Sequence, residues 1–298
     1  MPDIFKINLA NTSDVNLFIK REDLVHPIIS GNKFRKLKYN LEEAKNQNHQ
    51  TLLTFGGAFS NHIVAVAGAG KEFGFQTIGI IRGEELASKI EDNPSLSLAA
   101  SLGMQFKFVD RTTYRNKTDE SFTAKLSNEF GPFYLIPEGG TNSLAVKGCL
   151  EILSDETKIF DYICVAVGTG GTISGIINAS QLHQKIIGFS SLKGDFLTND
   201  ISKFVSKSNW YINCEYHFGG YGKVSDELIS FINQFYSEQQ IPLDPIYTGK
   251  MMFGVMDMIE KKQFPKGSKI LVIHTGGLQG IEGMNRKLQA SNKTIVVK

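Results

Sequence analysis

Residues 162–175 read YICVAVGTGGTISG: six mainly apolar residues, then Gly168-Thr169-Gly170-Gly171-Thr172, then a segment of helical spacing. A run that is apolar on both faces belongs to a strand covered on both sides, and a strand passing through glycines straight into a helix is the repeating unit of a parallel sheet. Working outward, the same unit recurs. TLLTF (51–55), TIGII (77–81), QFKFV (105–109), FYLIP (133–137), KIIGF (185–189) and KILVI (269–273) are short apolar runs separated by longer stretches of helical period. The rhythm predicts an α/β protein built on one or two open, mostly parallel sheets with flanking helices. Three further runs end as the first does, in a glycine pair beside a hydroxyl or amide residue: TFGGAFSN (54–61), PEGGTNS (137–143) and HTGGLQG (274–280).

Composition narrows the function classes. A chain of 298 residues with 41% hydrophobic and 21% charged side chains can bury a real core, and its length fits two domains or one large one. The 32 basic and 30 acidic side chains leave a formal charge of +2, which supports neither a nucleic-acid surface nor a membrane patch. Cys149, Cys164 and Cys214 are odd in number and far apart, so neither a disulfide framework nor a structural metal site is expected. The N-terminal MPDIFKINLANTSD has no apolar signal core, and a soluble, cytoplasmic protein is expected.

Ligands of open parallel sheets sit beyond the carboxyl ends of the strands, where glycine lets backbone amides approach and helix N-termini favour anions. Glycine also serves simply to make tight turns, but four such turns could converge on one anionic ligand. The Gly168–Thr172 turn is the best phosphate candidate. It is not a P-loop, because no GK[ST] follows; nor is it a dinucleotide fingerprint, because Ile173 stands where the third glycine belongs and the strand ending at Phe189-Ser190 offers no acid for a ribose. A single phosphate, on a cofactor or a substrate, fits better.

The segment SGNKFRKLK (30–38) is unusual in another way. Phe34, Leu37, Leu41 and Ala44 mark a helix face, which places Lys33, Arg35, Lys36 and Lys38 in the first turns and Glu42 and Glu43 later. Cations at a helix start oppose the macrodipole, at ~0.3–1 kcal/mol each, and crowding favours the neutral, nucleophilic form of the least solvated lysine. Lys33, directly after Gly-Asn, is the best candidate; a solvated basic face is the alternative. His62 and His274 could orient a substrate or merely cap. Lys147, Lys193 and Lys250 lie near glycines without a comparable charge inversion, and Cys149 and Cys164 sit in apolar stretches as core residues do.

A lysine amine, a single-phosphate cup and small hydroxyl residues at strand ends are what pyridoxal phosphate requires. The sequence resembles the fold-type II pyridoxal-phosphate enzymes of the tryptophan synthase β group, in particular the 1-aminocyclopropane-1-carboxylate deaminase and D-cysteine desulfhydrase family. The resemblance runs from KRED (20–23) to HTGGLQG and is carried by SGNKFRKL (30–37), GGAFSNH (56–62), VGTGGTISG (167–175), GGYG (219–222), DPIYTGKMM (244–252) and HTGG (274–277). It implies that Lys33 forms the Schiff base with the cofactor and moves the α-proton, that Asn61 bonds the phenolic oxygen, and that Gly168, Thr169, Gly170, Gly171 and Thr172 hold the phosphate. It further implies that Ser60, Asn61 and His62 hold the substrate carboxylate and that Tyr221 and Tyr247 face the reacting carbons. Two domains are implied, a smaller one of residues 36–143 and a larger one of 1–35 with 144–298, in a homodimer.

Two positions bear on the subfamily. Ring-opening deaminases of the family carry glutamate after the DPxY tyrosine and leucine before the last Gly-Gly; here Thr248 and Thr275 occupy these places, as in the desulfhydrases. A hydroxyl beside the pyridine nitrogen makes a weaker electron sink than a carboxylate does, which suffices for eliminating a good thiolate leaving group. The resemblance therefore implies β-elimination from a small amino acid, D-cysteine to pyruvate, sulfide and ammonia first. Ring-opening deamination is the alternative, and a cofactor-binding protein without turnover is a third possibility. Phe59 departs from the family's glutamine, and Ile63-Val64-Ala65 from a more polar run.

Overall fold

The computed structural model describes residues 3–9 and 14–297; the ends of the expected larger domain, at Met1 and Lys298, lie outside the described residues. Ten strands are present among those residues: β1 (Ile4–Lys6), β2 (Asn16–Lys20), β3 (Thr51–Gly56), β4 (Gln76–Arg82), β5 (Met104–Val109), β6 (Tyr134–Ile136), β7 (Tyr162–Val167), β8 (Lys185–Ser190), β9 (Trp210–Asn213) and β10 (Lys269–Ile273). The helices are α1 (Asn32–Asn46), α2 (Asn61–Phe73), α3 (Pro94–Ser101), α4 (Arg111–Arg115), α5 (Glu120–Phe130), α6 (Ser143–Cys149), α7 (Gly171–Ala179), α8 (Leu197–Ser202), α9 (Asp226–Gln239), α10 (Thr248–Glu260) and α11 (Gly280–Gln289).

The strands form two open sheets, ordered β1-β2-β10-β7-β8-β9 and β5-β4-β3-β6. Every neighbouring pair is parallel except β1 with β2. The expected fold class is thus borne out, and each of the seven apolar runs is a strand. β1, β2 and β9 carried too little signal: β1 and β9 are edge strands of three and four residues, and β2, NLFIK, mixes polar ends with an apolar middle.

Burial on both faces explains the continuous apolar runs. In the larger sheet, Leu17, Ile19, Cys164 and Val272 pack with α9, α10 and α11, while Ile163, Val165, Leu271 and Ile273 pack with α7. In the smaller sheet, Leu52 and Ile81 face α2 and α3, and Leu53, Phe55 and Ile80 face Tyr114 and Leu126. Each fully buried Val, Leu or Ile contributes ~1.5–3 kcal/mol, so both sheets are anchored from either side.

The sheets share no strand. We propose residues 36–143 as one unit and the rest as another, which keeps each sheet whole, although α1 runs unbroken across the first boundary. Among the described residues no helix is long and apolar enough to cross a membrane.

Candidate active site

Four strands end at one cleft. β7 leads into Gly168, β10 into Thr275, β3 into Gly57 and β6 into Glu138, and residues of all four turns line one cavity of about 500 Å3. Its position at the carboxyl ends of strands in both sheets is the expected one for an open α/β protein.

The start of α1 is locked into this cleft by backbone contact. Gly31 has φ +63°, and a Cβ there would lie 1.9 Å from the Thr275 carbonyl oxygen, so only glycine fits. The Asn32 N–H donates to the same oxygen at 3.1 Å, and the Asn32 amide donates to Thr172 Oγ1 at 2.8 Å. The beginning of α1, the end of β10 and the N-terminus of α7 thereby meet at one point. Lys33 follows immediately and lines the cavity, where burial and the neighbouring Lys36 pull its amine down to about 7. Part of it is therefore neutral and nucleophilic near neutral pH.

The phosphate cup is more elaborate than its glycines suggest. Gly170 caps α7 at φ +84°, and Gly168 is pressed by the Tyr247 ring, 3.1 Å from where its Cβ would be. Lys36 is buried beside the cup and donates to Gly139 O and Thr141 Oγ1, both at 2.9 Å, and to Thr169 Oγ1 at 3.4 Å. Thr141 and Thr169 hydroxyls lie 2.6 Å apart. Burial lowers the Lys36 amine to about 8, and no carboxylate lies within ion-pair distance of it among the described residues. A buried cation satisfied by neutral oxygens alone, beside a helix N-terminus, has the chemistry that suits an anion. The sequence did not bring Lys36 and Thr141 to this turn; the i,i+3 spacing of Lys33 and Lys36, which puts both on one helix face, was the available signal.

On the opposite wall, Ser60 caps α2, its Oγ accepting from Ile63 N. Asn61 Oδ1 is buried without a partner, and the Asn61 amide nitrogen has only a long 3.4 Å contact to Gly277 O. His62 Nε2 meets Thr54 Oγ1 at 2.8 Å; because that hydroxyl donates to Ile136 O, the ring must carry its proton on Nε2. Nδ1 is then a bare, buried lone pair without a partner. Burial first, then Lys33 and Lys36, hold His62 neutral, its pKa well below the usual value. In this state Nδ1 is the ring atom left to accept a hydrogen bond.

Tyr221 and Tyr247 both line the cavity, ring centroids 6.2 Å apart and edge to face. Burial raises both phenols, so they are neutral hydroxyls. Thr275 also lines it, at the end of β10. Thr248 does not. It is fully buried at the start of α10, its hydroxyl donating to Asp244 Oδ2 at 2.7 Å and accepting from Asp244 N, so the structure makes it part of a helix cap. Gly171 lies behind the cup, its Cβ position 2.8 Å from Thr141 Oγ1. Phe59 sits outside the cavity against Gly283, and His274 is fully buried, bonding Pro242 O at 2.7 Å.

Two unsatisfied polar atoms, a cation without a carboxylate and a depressed lysine beside a phosphate cup fit a phosphorylated aldehyde. The family model described as pyridoxal-phosphate dependent enzyme matches residues 5–276. The chain belongs to that family. A relative from Pyrococcus horikoshii named "Putative 1-aminocyclopropane-1-carboxylate deaminase" is 30% identical over 292 residues, covering 92% of this chain and 88% of its own length. The mitochondrial bifunctional D-cysteine desulfhydrase/1-aminocyclopropane-1-carboxylate deaminase of Arabidopsis thaliana is 33% identical over 297 residues, covering 89% of this chain and 73% of its own. The crystal structure of an ACC deaminase homologue superposes with a TM-score of 0.82 at 29% identity, covering 97% and 93%. The resemblance seen in the motifs is thereby confirmed, and this pyridoxal-phosphate-dependent enzyme falls within the deaminase and desulfhydrase group.

Proposed function

We propose that this enzyme is a lyase that eliminates the β-substituent of a small D-amino acid, with D-cysteine and water giving pyruvate, hydrogen sulfide and ammonia. Pyridoxal phosphate, when bound, supplies an electron sink for the pair left on Cα when its proton departs. The Gly168–Thr172 amides and hydroxyls with Lys36 would hold its phosphate, Asn61 its phenolic oxygen, and Thr275 its pyridine nitrogen. Lys33 would hold the cofactor's aldehyde carbon through Nζ and, once the substrate amine has displaced it there, would take the Cα proton as a free neutral amine. Ser60 and the Asn61 amide orient the substrate carboxylate; Tyr221 and Tyr247 close over the reacting carbons and offer neutral hydroxyls there.

The observation that carries the choice of reaction is Thr275, a hydroxyl at the end of β10. Glu138, paired with Tyr114 and Lys117 on the small-sheet side, is the one carboxylate lining the cavity among the described residues. A hydroxyl at the pyridine nitrogen supports elimination of a thiolate more readily than opening of an unactivated ring. Deamination of 1-aminocyclopropane-1-carboxylate is the second reading, favoured by the names of the similar proteins. The homodimer, on resemblance, and the cytoplasmic compartment, on the three scattered cysteines, belong to the proposal too.

Steady-state assays of the purified holoenzyme test it. Sulfide release from D-cysteine should exceed ammonia release from the cyclopropane substrate in kcat/KM, and Thr275→Leu should move that ratio toward ring opening by about tenfold, equivalent to ~1.4 kcal/mol. The reverse order in the native enzyme would overturn the assignment in favour of the deaminase.

A further inference from the structure

The active-site cavity does not end at the tyrosines. It opens past Gly57, Arg82, Glu138 and Tyr221 into an outer cavity of about 610 Å3 whose remaining wall brings Arg111, Arg115 and Lys117 from the small-sheet unit. Two of its cations are spent: Lys117 lies 3.3 Å from Glu138, which also accepts from Tyr114 OH at 2.7 Å, and Arg111 lies 3.5 Å from Glu85. Arg82 and Arg115 have no carboxylate within ion-pair distance among the described residues. Arg82, the last residue of β4, lines both cavities; a Cβ at Gly57 would be 3.7 Å from its Nη2, and its Cζ stacks 5.8 Å from the Tyr114 centroid. The guanidinium thus stands at the passage from the reaction site, beside the turn that begins the Ser60–His62 loop. A planar fork of donors with no acceptor matches phosphate, sulfonate or carboxylate.

We infer that Arg82 is a specificity-determining residue that receives a negatively charged β-substituent, so that the enzyme's substrates include small amino acids whose side chain ends in an anion. The inference rests on the lyase reading above and adds the chemical class of the leaving group. For O-phosphoserine the reaction balances as the elimination does for cysteine. The Cα proton is lost and the Cβ–O bond breaks with its electron pair leaving on phosphate; one water then hydrolyses the enamine, giving pyruvate, ammonia and phosphate. The α-carboxylate stays at the Ser60–Asn61 turn while the second anion points outward to Arg82.

The test compares native holoenzyme with Arg82→Gln and Arg82→Lys on the D and L forms of O-phosphoserine and, as the uncharged counterpart, β-chloroalanine. The ratio of kcat/KM for the anionic over the neutral substrate should fall about 30-fold or more in Arg82→Gln and by less in Arg82→Lys, which keeps the charge but loses the fork. Calorimetric binding supplies a readout independent of turnover: 3-phosphonopropanoate, which has no amine to react, should bind Arg82→Gln about tenfold more weakly, with butanoate as the control that keeps its affinity. Equal losses on both substrates would mean that Arg82 reads the shared α-carboxylate and would overturn the inference. Turnover of β-chloroalanine without turnover of O-phosphoserine by the native enzyme would overturn it while leaving the lyase reading intact. If neither amino acid is consumed, the lyase reading fails, and the binding measurement alone decides whether the anion site exists.

Discussion

Helix α1 has two basic faces that the sequence does not distinguish and the structure does. On one face, Arg35 donates to the fully buried Glu22 at 2.9 Å and lies 3.5 Å from Glu151, and Lys38 lies 2.6 Å from Glu151. On the other, Lys33 and Lys36 face the cleft with no carboxylate within ion-pair distance among the described residues. All four arise within six consecutive residues and oppose the same helix dipole. The paired cations fasten α1 to the KRED segment and to the end of α6; the unpaired ones keep a cost that only a ligand removes. A cation balanced by the fold is architecture, whereas a cation left unbalanced in a buried place is chemistry.

The comparison is broken most severely at Lys33. Lys33→Ala should abolish covalent attachment of the cofactor, read by borohydride reduction and peptide mapping, and lower turnover by about 10³-fold or more, while the cup still binds the phosphate non-covalently. Normal turnover would place the nucleophile elsewhere. The same lysine sets a pH dependence in the apoprotein. The neutral amine is the reactive form, so the rate of cofactor attachment should rise through pH about 7, falling about tenfold for each unit below it, instead of rising near the ordinary lysine value.

Arg35→Met removes one partner of a buried pair and strands Glu22, so it should cost ~3–5 kcal/mol of stability in urea unfolding, with cofactor affinity in the folded fraction close to native. Lys36→Met should do the opposite: little loss of stability, because no carboxylate is stranded, and a cofactor dissociation constant raised about 10- to 100-fold, the equivalent of ~1.5–3 kcal/mol for a charge-assisted bond to phosphate. If the two variants changed affinity alike, the division of α1 into a structural and a functional face would be lost.

How much of this was readable beforehand follows the same division. The seven apolar strands, the Gly168–Thr172 cup and Lys33 declare themselves locally, because periodicity, turn glycine and a reversed charge order are properties of neighbouring residues. Lys36 resting on Thr141 and Thr169, and Arg82 reaching the Gly57 turn, arise only when segments some 25 to 133 positions apart are folded together, as the 133-residue separation of the Lys36–Thr169 contact shows. Thr248 shows the converse. Its expected place in the active site came from likeness to a motif, while the Asp four residues before it makes a local capping pattern that takes its hydroxyl away from the cleft.

Lys38→Met should have the smallest effect, and for that reason it is the sharpest control. Its ammonium is two-fifths exposed and its partner Glu151 about one-third, so water and salt screen the pair, and an exposed pair of this kind contributes below about 1 kcal/mol. Glu151 is not stranded by the change, since it still accepts from Tyr39 OH at 2.7 Å and lies near Arg35. Stability should therefore fall by less than about 1 kcal/mol, the loss should shrink further in high salt, and cofactor affinity should be native. The charge removed is nevertheless only two residues along the helix from Lys36. If a diffuse positive field over the start of α1 attracted the phosphate, deleting any of the four cations would weaken cofactor binding in rough proportion to its distance, and Lys38→Met would show a measurable, salt-sensitive loss. A native dissociation constant for Lys38→Met beside a raised one for Lys36→Met would instead show that direction decides: the cation that serves the cup is the one turned toward it and left without a carboxylate.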